Sequence, residues 1–138
     1  MREMTEDEQL VDALGEAAFR TMGPLTGLAA DAGLSLTQLR VLAILRDRRL
    51  RIGDLAQYLG LEKSTMTGLV ARAEKKGLLA RQPNADDARA VDVVITDAGL
   101  EVARSLEGAI RDALLPLTAR LPERDRRQLH ALLEQMLR

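Results

Sequence analysis

From residue 52 to residue 96 the hydrophobic period of the chain changes twice, and few folds accommodate that switch. Residues 54–59 suit a short helix, Gly60 supplies a tight turn, and residues 62–76 resume helical spacing. In this second helix Met66, Leu69, Val70 and Ala73 fall at i, i+3, i+4 and i+7, which marks its buried stripe, and Gly77 is placed to end it as a left-handed cap. Strand-forming residues at 78–82 and 90–95 flank turn formers at 83–88, with Val91, Val93 and Ile95 alternating onto one face. Helix, turn, helix and a two-stranded hairpin with a charged tip make a winged helix-turn-helix.

The face of 62–76 opposite its apolar stripe centres on Ser64, Gly68, Ala71 and Lys75, flanked by Thr65, Thr67 and Arg72. It is small, hydroxylic and basic. Small side chains let a helix approach base edges, hydroxyls can donate or accept there, and Arg72 and Lys75 can meet phosphates. The expected DNA-contacting set is Lys63, Ser64, Thr65, Thr67, Gly68, Arg72 and Lys75 on the helix, with Arg81, Asp87 and Arg89 on the hairpin. Double-stranded DNA is the expected partner. The basic run 46–51 fits a solvated helix end and a phosphate contact equally well.

A net charge of −1 seems to oppose this reading, but the charge is segregated along the chain. Residues 1–37 carry two basic groups against seven acidic ones, residues 38–89 eleven against six, and residues 90–138 seven against eight. The positive excess coincides with the helix-turn-helix and its hairpin, and a localised basic face matters more than whole-chain charge.

Around this segment lie helices more apolar on one side than a small winged domain can cover. Thr5 to Glu8 has capping-box spacing, followed by Leu10, Leu14, Ala17, Ala18, Met22 and Leu25, with Gly23-Pro24 expected to kink or split the helix. A second capping box, Ser35 to Gln38, opens a helix that buries Val41, Leu42 and Leu45. After Thr96, a broad stripe from Val102 to Leu114 runs up to Pro116 and Pro122, and a last helix carries Leu129, Leu132, Leu133, Met136 and Leu137. The expected fold is mainly α with a small β-hairpin wing. Its expected divisions are an N-terminal dimerisation helix at 1–33, a winged helix-turn-helix at 34–96, and C-terminal dimerisation helices at 97–138. A homodimer is the natural use of the apolar faces.

Composition excludes several other classes. With no Cys and a single His, His130, the chain lacks the usual ligands for a zinc cluster and has no thiol nucleophile, so neither cofactor nor metal is expected. Asp86 and Asp87 sit on a hairpin tip without a His, where an Asp87–Arg89 salt bridge is more economical than catalysis, and no enzyme is expected. Aromatic residues make up 1%, so the core must be aliphatic. No secretory signal pattern and no long apolar run are evident, which points to a cytoplasmic protein with no membrane partner.

The series Asp54-Leu55-Ala56, Ser64-Thr65-Met66-Thr67, Leu69-Val70, Glu74-Lys75-Lys76-Gly77-Leu78, Arg81, Asp87-Ala88-Arg89 and Ile95-Thr96 resembles the multiple-antibiotic-resistance regulator (MarR) family across about half the chain. The resemblance implies a homodimeric bacterial or archaeal transcription regulator with interlocked terminal helices. It further implies that Ser64, Thr65 and Thr67 face the major groove and that an Asp87–Arg89 pair shapes a wing whose arginine enters the minor groove. It implies, finally, a repressor released by a small organic effector, often anionic or aromatic, held between the dimer helices and the winged domain. In this chain that crevice would draw on Leu14, Leu25, Val41 and Leu45, with Arg20 or Arg40 as anion partners. Gly68 and Ala73 depart from the family pattern, which favours a larger polar or basic residue and a Leu there. The alternative is a winged-helix protein-interaction module without specific DNA binding, for which a small polar helix face and a basic wing would be unnecessary.

Overall fold

The computed structural model describes residues 1–138 as six helices and a small antiparallel sheet. The order is α1 (Glu6–Asp31), α2 (Leu36–Leu45), β1 (Leu50–Arg51), α3 (Ile52–Leu59), α4 (Lys63–Lys75), β2 (Leu79–Pro83), β3 (Val91–Ile95), α5 (Asp97–Thr118) and α6 (Glu123–Met136). Packing divides them into two units, Leu25–Glu107 and Met1–Pro24 with Gly108–Arg138. No single helix is long and apolar enough to cross a membrane.

The winged unit holds the core. Leu42 and Leu45 from α2, Leu55 from α3, Met66 and Val70 from α4, Leu79 from β2 and Val93 from β3 are fully buried. Each element enters this core for a local reason. At Ser35 a complete capping box starts α2, the hydroxyl accepting from the Gln38 N–H at 3.1 Å while the Gln38 amide oxygen accepts from the Ser35 N–H at 3.0 Å. Gly60, at φ 67°, closes α3 by donating to the Gln57 carbonyl, and Gly77, at φ 76°, turns the chain from α4 into β2.

The sheet has a strand that the sequence pattern does not reveal. Its order is β1-β3-β2, so β3 is central, with Leu50 opposite Val93 on one side and Arg81 opposite Val93 on the other. The expected two-stranded hairpin is therefore a three-stranded sheet. Two residues are too few to express a period of two, and both lie inside a basic run. On β3 the alternation also differs from expectation: Val91 is exposed, Asp92 is buried and Val93 is fully enclosed.

Both internal prolines are absorbed. α1 continues through Gly23 and Pro24, and α5 passes Pro116 and ends at Thr118. A proline withholds one helix hydrogen bond, and the bonds on either side carry these long helices past it. Pro122 acts differently, standing immediately ahead of α6.

The unit of terminal segments has no buried residue. Leu10, Val11, Leu14, Phe19 and Met22 of α1 are exposed, as are Leu132, Leu133 and Met136 of α6, with Phe19 at 76%. In a single chain this unit has apolar surface but no core.

Candidate nucleic-acid interface

Helix α4 turns Met66, Leu69, Val70 and Ala73 into the core, which leaves Lys63, Ser64, Thr65, Arg72 and Lys75 exposed and Thr67 and Gly68 half-buried. The Thr67 hydroxyl donates back to the Lys63 carbonyl at 2.8 Å, which leaves its oxygen as an acceptor only. Ser64 and Thr65 keep both hydroxyl functions free.

Most arginines near this face are already engaged. Arg46 pairs with Glu107 at 3.1 Å, Arg48 with Asp47 at 3.2 Å, Arg49 with Asp92 at 2.8 Å and Arg51 with Asp87 at 3.7 Å. The basic run that followed α2 is thus tied into the unit's own carboxylates. Arg81 is tied as well: its guanidinium donates twice to Glu74, at 3.2 and 2.9 Å, and its backbone N–H donates to the same carboxylate. These bonds hold the Glu74 carboxyl below its usual range, the Arg81 side chain contributing most. Arg81 anchors β2 to α4. Lys76 donates to the Gly33 carbonyl. Lys63, Arg72, Lys75 and Arg89 enter none of the chain's ion pairs and are exposed.

The wing tip is held by its own side chains. Asn84 Oδ1 accepts from the Asp86 and Asp87 N–H groups at 2.9 and 3.0 Å, and Asp87 Oδ1 accepts from the Arg89 N–H at 3.0 Å. The expected Asp87–Arg89 salt bridge is therefore a carboxylate-to-backbone bond. Two residues apart in a turn, the carboxylate meets the nearer N–H, its other oxygen faces Arg51, and the Arg89 side chain is left free.

Asp92 fastens the base of the wing. Its side chain is 6% exposed and accepts from Asn84 Nδ2 and Arg49 Nε, each at 2.8 Å. The Asn84 bond is the leading cause that lowers the Asp92 carboxyl below its usual range, with Arg49 adding to it. The stabilisation from this depressed carboxyl is present above the unfolded-state pKa of about 4 and is lost as pH falls through the folded value. Amide protection factors in β2 and β3, taken relative to intrinsic exchange at each pH, should therefore be insensitive to this group from pH 7 to about pH 4 and fall below that. Asp92→Asn should remove the acid-dependent step; an unchanged acid profile in that variant would discount the clamp. An ionisable residue among the valines of a strand was the sequence signal for Asp92; Arg49 and Arg51 showed only as members of the basic run and Asn84 only as a turn former, with nothing to mark them as its partners.

A cleft of about 400 Å³ opens where the starts of α3 and α4 meet the wing, lined by Arg51, Gly53, Asp54, Lys63, Thr67, Arg81, Asp87 and Arg89 among others. Its cations outnumber its carboxylates, and the free ones, Lys63 and Arg89, stand on the helix and wing sides.

The expected effector residues fare differently. Leu14 and Arg20 lie in the terminal unit, exposed, with Arg20 paired to Glu16 at 2.8 Å. In the winged unit Leu25 is half-buried, and the exposed Arg40 lies 5.8 Å from the centroid of the Tyr58 ring. Val41 and Leu45 are 0% and 1% exposed and belong to the core of the winged unit. Apolar periodicity marks a buried face without showing whether a neighbour or a ligand fills it.

A sequence model described as "MarR family" matches residues 32–90. The HTH-type transcriptional repressor MdtR of Bacillus subtilis is 35% identical over 68 residues, which cover 49% of this chain and 44% of that protein. This chain spans about half the length of the curated relatives it matches. The crystal structure of Sco3205, a MarR family transcriptional regulator from Streptomyces coelicolor, in complex with DNA, is 30% identical with a TM-score of 0.78 and covers 99% of this chain and 89% of that one. NadR in complex with 4-hydroxyphenylacetate shares the fold at 21% identity and a TM-score of 0.80, covering 99% of this chain and 97% of that one. These relatives and the shared winged architecture place the chain in one family: it belongs to the MarR family.

Proposed function

We propose that this protein is a homodimeric, sequence-specific DNA-binding transcription regulator acting in the cytoplasm, a repressor released by a small organic effector. The observation that carries the reading is the exposed face of α4, where Ser64 and Thr65 are free of partners and Lys63, Arg72 and Lys75 are free of counter-charges, beside a wing presenting Arg89. Helix α4 lies in the major groove, with its N-terminal residues at the base edges, and Arg89 enters the adjacent minor groove. Residues 34–96 form the DNA-reading domain, and 1–33 with 97–138 the dimerisation helices. The terminal unit's lack of any buried residue supports the dimer, since its apolar faces need a second copy to cover them. Repression draws support from MdtR, and an organic effector from the NadR complex. Arg40 and Arg20 remain the candidate anion partners for that effector, with Leu14 and Leu25 its apolar ones.

Selection of bound duplexes from genomic fragments tests the proposal. Pseudo-palindromes should be enriched with half-sites about one helical turn, roughly 34 to 36 Å, apart. Sedimentation should give a dimer at micromolar concentration; a monomer with no enriched duplex would refute the reading. Arg89→Ala should lower affinity and weaken preference for A·T-rich flanks while half-site preference survives, because the narrow A·T minor groove concentrates negative potential where that arginine inserts. If this variant binds operator, flank-altered and scrambled duplexes like the parent, the wing is misassigned.

A further inference from the structure

Gly68 departs from the family pattern, and the structure gives the space above it an occupant. A Cβ built on Gly68 would meet one side-chain atom, Arg72 Nη1, at 3.4 Å. Helical side chains lean toward the N-terminus and lie over the turn before their own Cα. Arg72 belongs to the last turn of α4 by sequence, yet it delivers its guanidinium beside Gly68, one turn nearer the N-terminal end of the helix. It is exposed and has no counter-ion.

We propose that Arg72, and not residue 68, is the base-reading side chain of this part of α4, and that it selects a guanine in each half-site. The inference rests on the DNA-binding reading above. A guanidinium presents paired donors in a planar fork that matches the O6 and N7 acceptors of guanine in the major groove, and neither adenine nor a pyrimidine offers that pair. The missing side chain at 68 gives Arg72 room to lie flat on the helix, in the half of a recognition helix that approaches the bases. A larger residue at 68 would occupy this place and push the guanidinium outward toward the phosphates. Absence of an ion pair leaves the fork unfilled for a base.

The test uses the full-length dimer and the operator obtained by selection. Replacing one guanine per half-site by 7-deazaguanine removes N7 and keeps the pairing and the phosphates. At a single symmetric pair of positions, where two contacts are lost at once, guanine-to-adenine replacement should weaken parent binding roughly 30- to 10⁴-fold, and 7-deazaguanine should also weaken it. Arg72→Lys keeps the charge without the fork, and Gly68→Gln keeps Arg72 while filling its place. Both variants should lose the discrimination at that position and keep it elsewhere. Arg72→Lys should retain the parent's salt dependence. If instead Arg72→Lys discriminates like the parent, or Arg72→Ala weakens binding to all duplexes equally, Arg72 is a phosphate contact and the inference is overturned. Failure of the parent to enrich any sequence would overturn the DNA-binding reading itself, a separate result.

Discussion

Raising monovalent salt from about 50 to 200 mM should weaken operator binding by roughly 10³- to 10⁴-fold. The magnitude follows from which cations are free. Lys63, Arg72, Lys75 and Arg89 have no carboxylate partner, so a dimer would present about eight, or about six if Arg72 meets a base instead of a phosphate. Each neutralised phosphate releases condensed counterion, and the slope of log K against log salt should lie near −5 to −7. Had Arg46, Arg48, Arg49, Arg51 and Arg81 also been free, the slope would be far steeper, but their charge is compensated within the unit. Lys63→Ala and Lys75→Ala should each lower the slope by about two in a dimer and weaken all sequences alike. A flat salt response would favour the alternative of a protein-interaction module, for which phosphates are irrelevant.

What sequence pattern revealed, and what it did not, divides by the range of the interactions. The stripe of α4, the glycine turns at 60 and 77 and the capping box at Ser35 depend on residues within about two turns of helix, so their spacing exposes them. The outward face of α4 was legible for the same reason, as the complement of that stripe. Strand β1 was hidden because its structure comes from β3, across the unit, and not from its own two residues. The site was legible as a set of residue types but not as a set of free charges. Arg49 and Asp92 are 43 positions apart, and only the folded sheet brings them to 2.8 Å. The same distance argument separates Arg81, paired across an element boundary, from Arg89, which is unpaired although an aspartate stands two residues before it. Prolines carry a weaker signal: the local penalty at Pro24 is real, yet it does not split α1, because a long helix tolerates one missing bond.

Gly99→Ala should destabilise the winged unit by about 3 kcal/mol or more, although the same change in an ordinary helix interior gains up to about 1 kcal/mol. Gly99 is buried in the first turn of α5, where this helix rests on the backbone that leaves α4. A Cβ there would stand 2.1 Å from the Leu78 carbonyl oxygen and 2.8 Å from Ile95 Cγ1. The oxygen cannot simply move away, because it accepts the Thr96 N–H at 3.1 Å, while the Thr96 hydroxyl donates to the Gly77 carbonyl and accepts the Gly99 N–H at 3.0 Å. Relief would require α5 to lift from the turn between α4 and β2, and these bonds would break together. Since a small domain is stable by about 5 to 15 kcal/mol, the loss would be a large part of the total. It should appear as a lower urea midpoint at unchanged slope and as operator binding reduced only by the unfolded fraction. Gly27→Ala is the control, because a Cβ at that exposed position in α1 meets nothing within 4 Å and should be neutral or stabilising. A stabilising Gly99→Ala would mean that α5 does not sit on the Leu78 carbonyl, and the coupling of α5 to the turn between α4 and β2 through that contact would go with it.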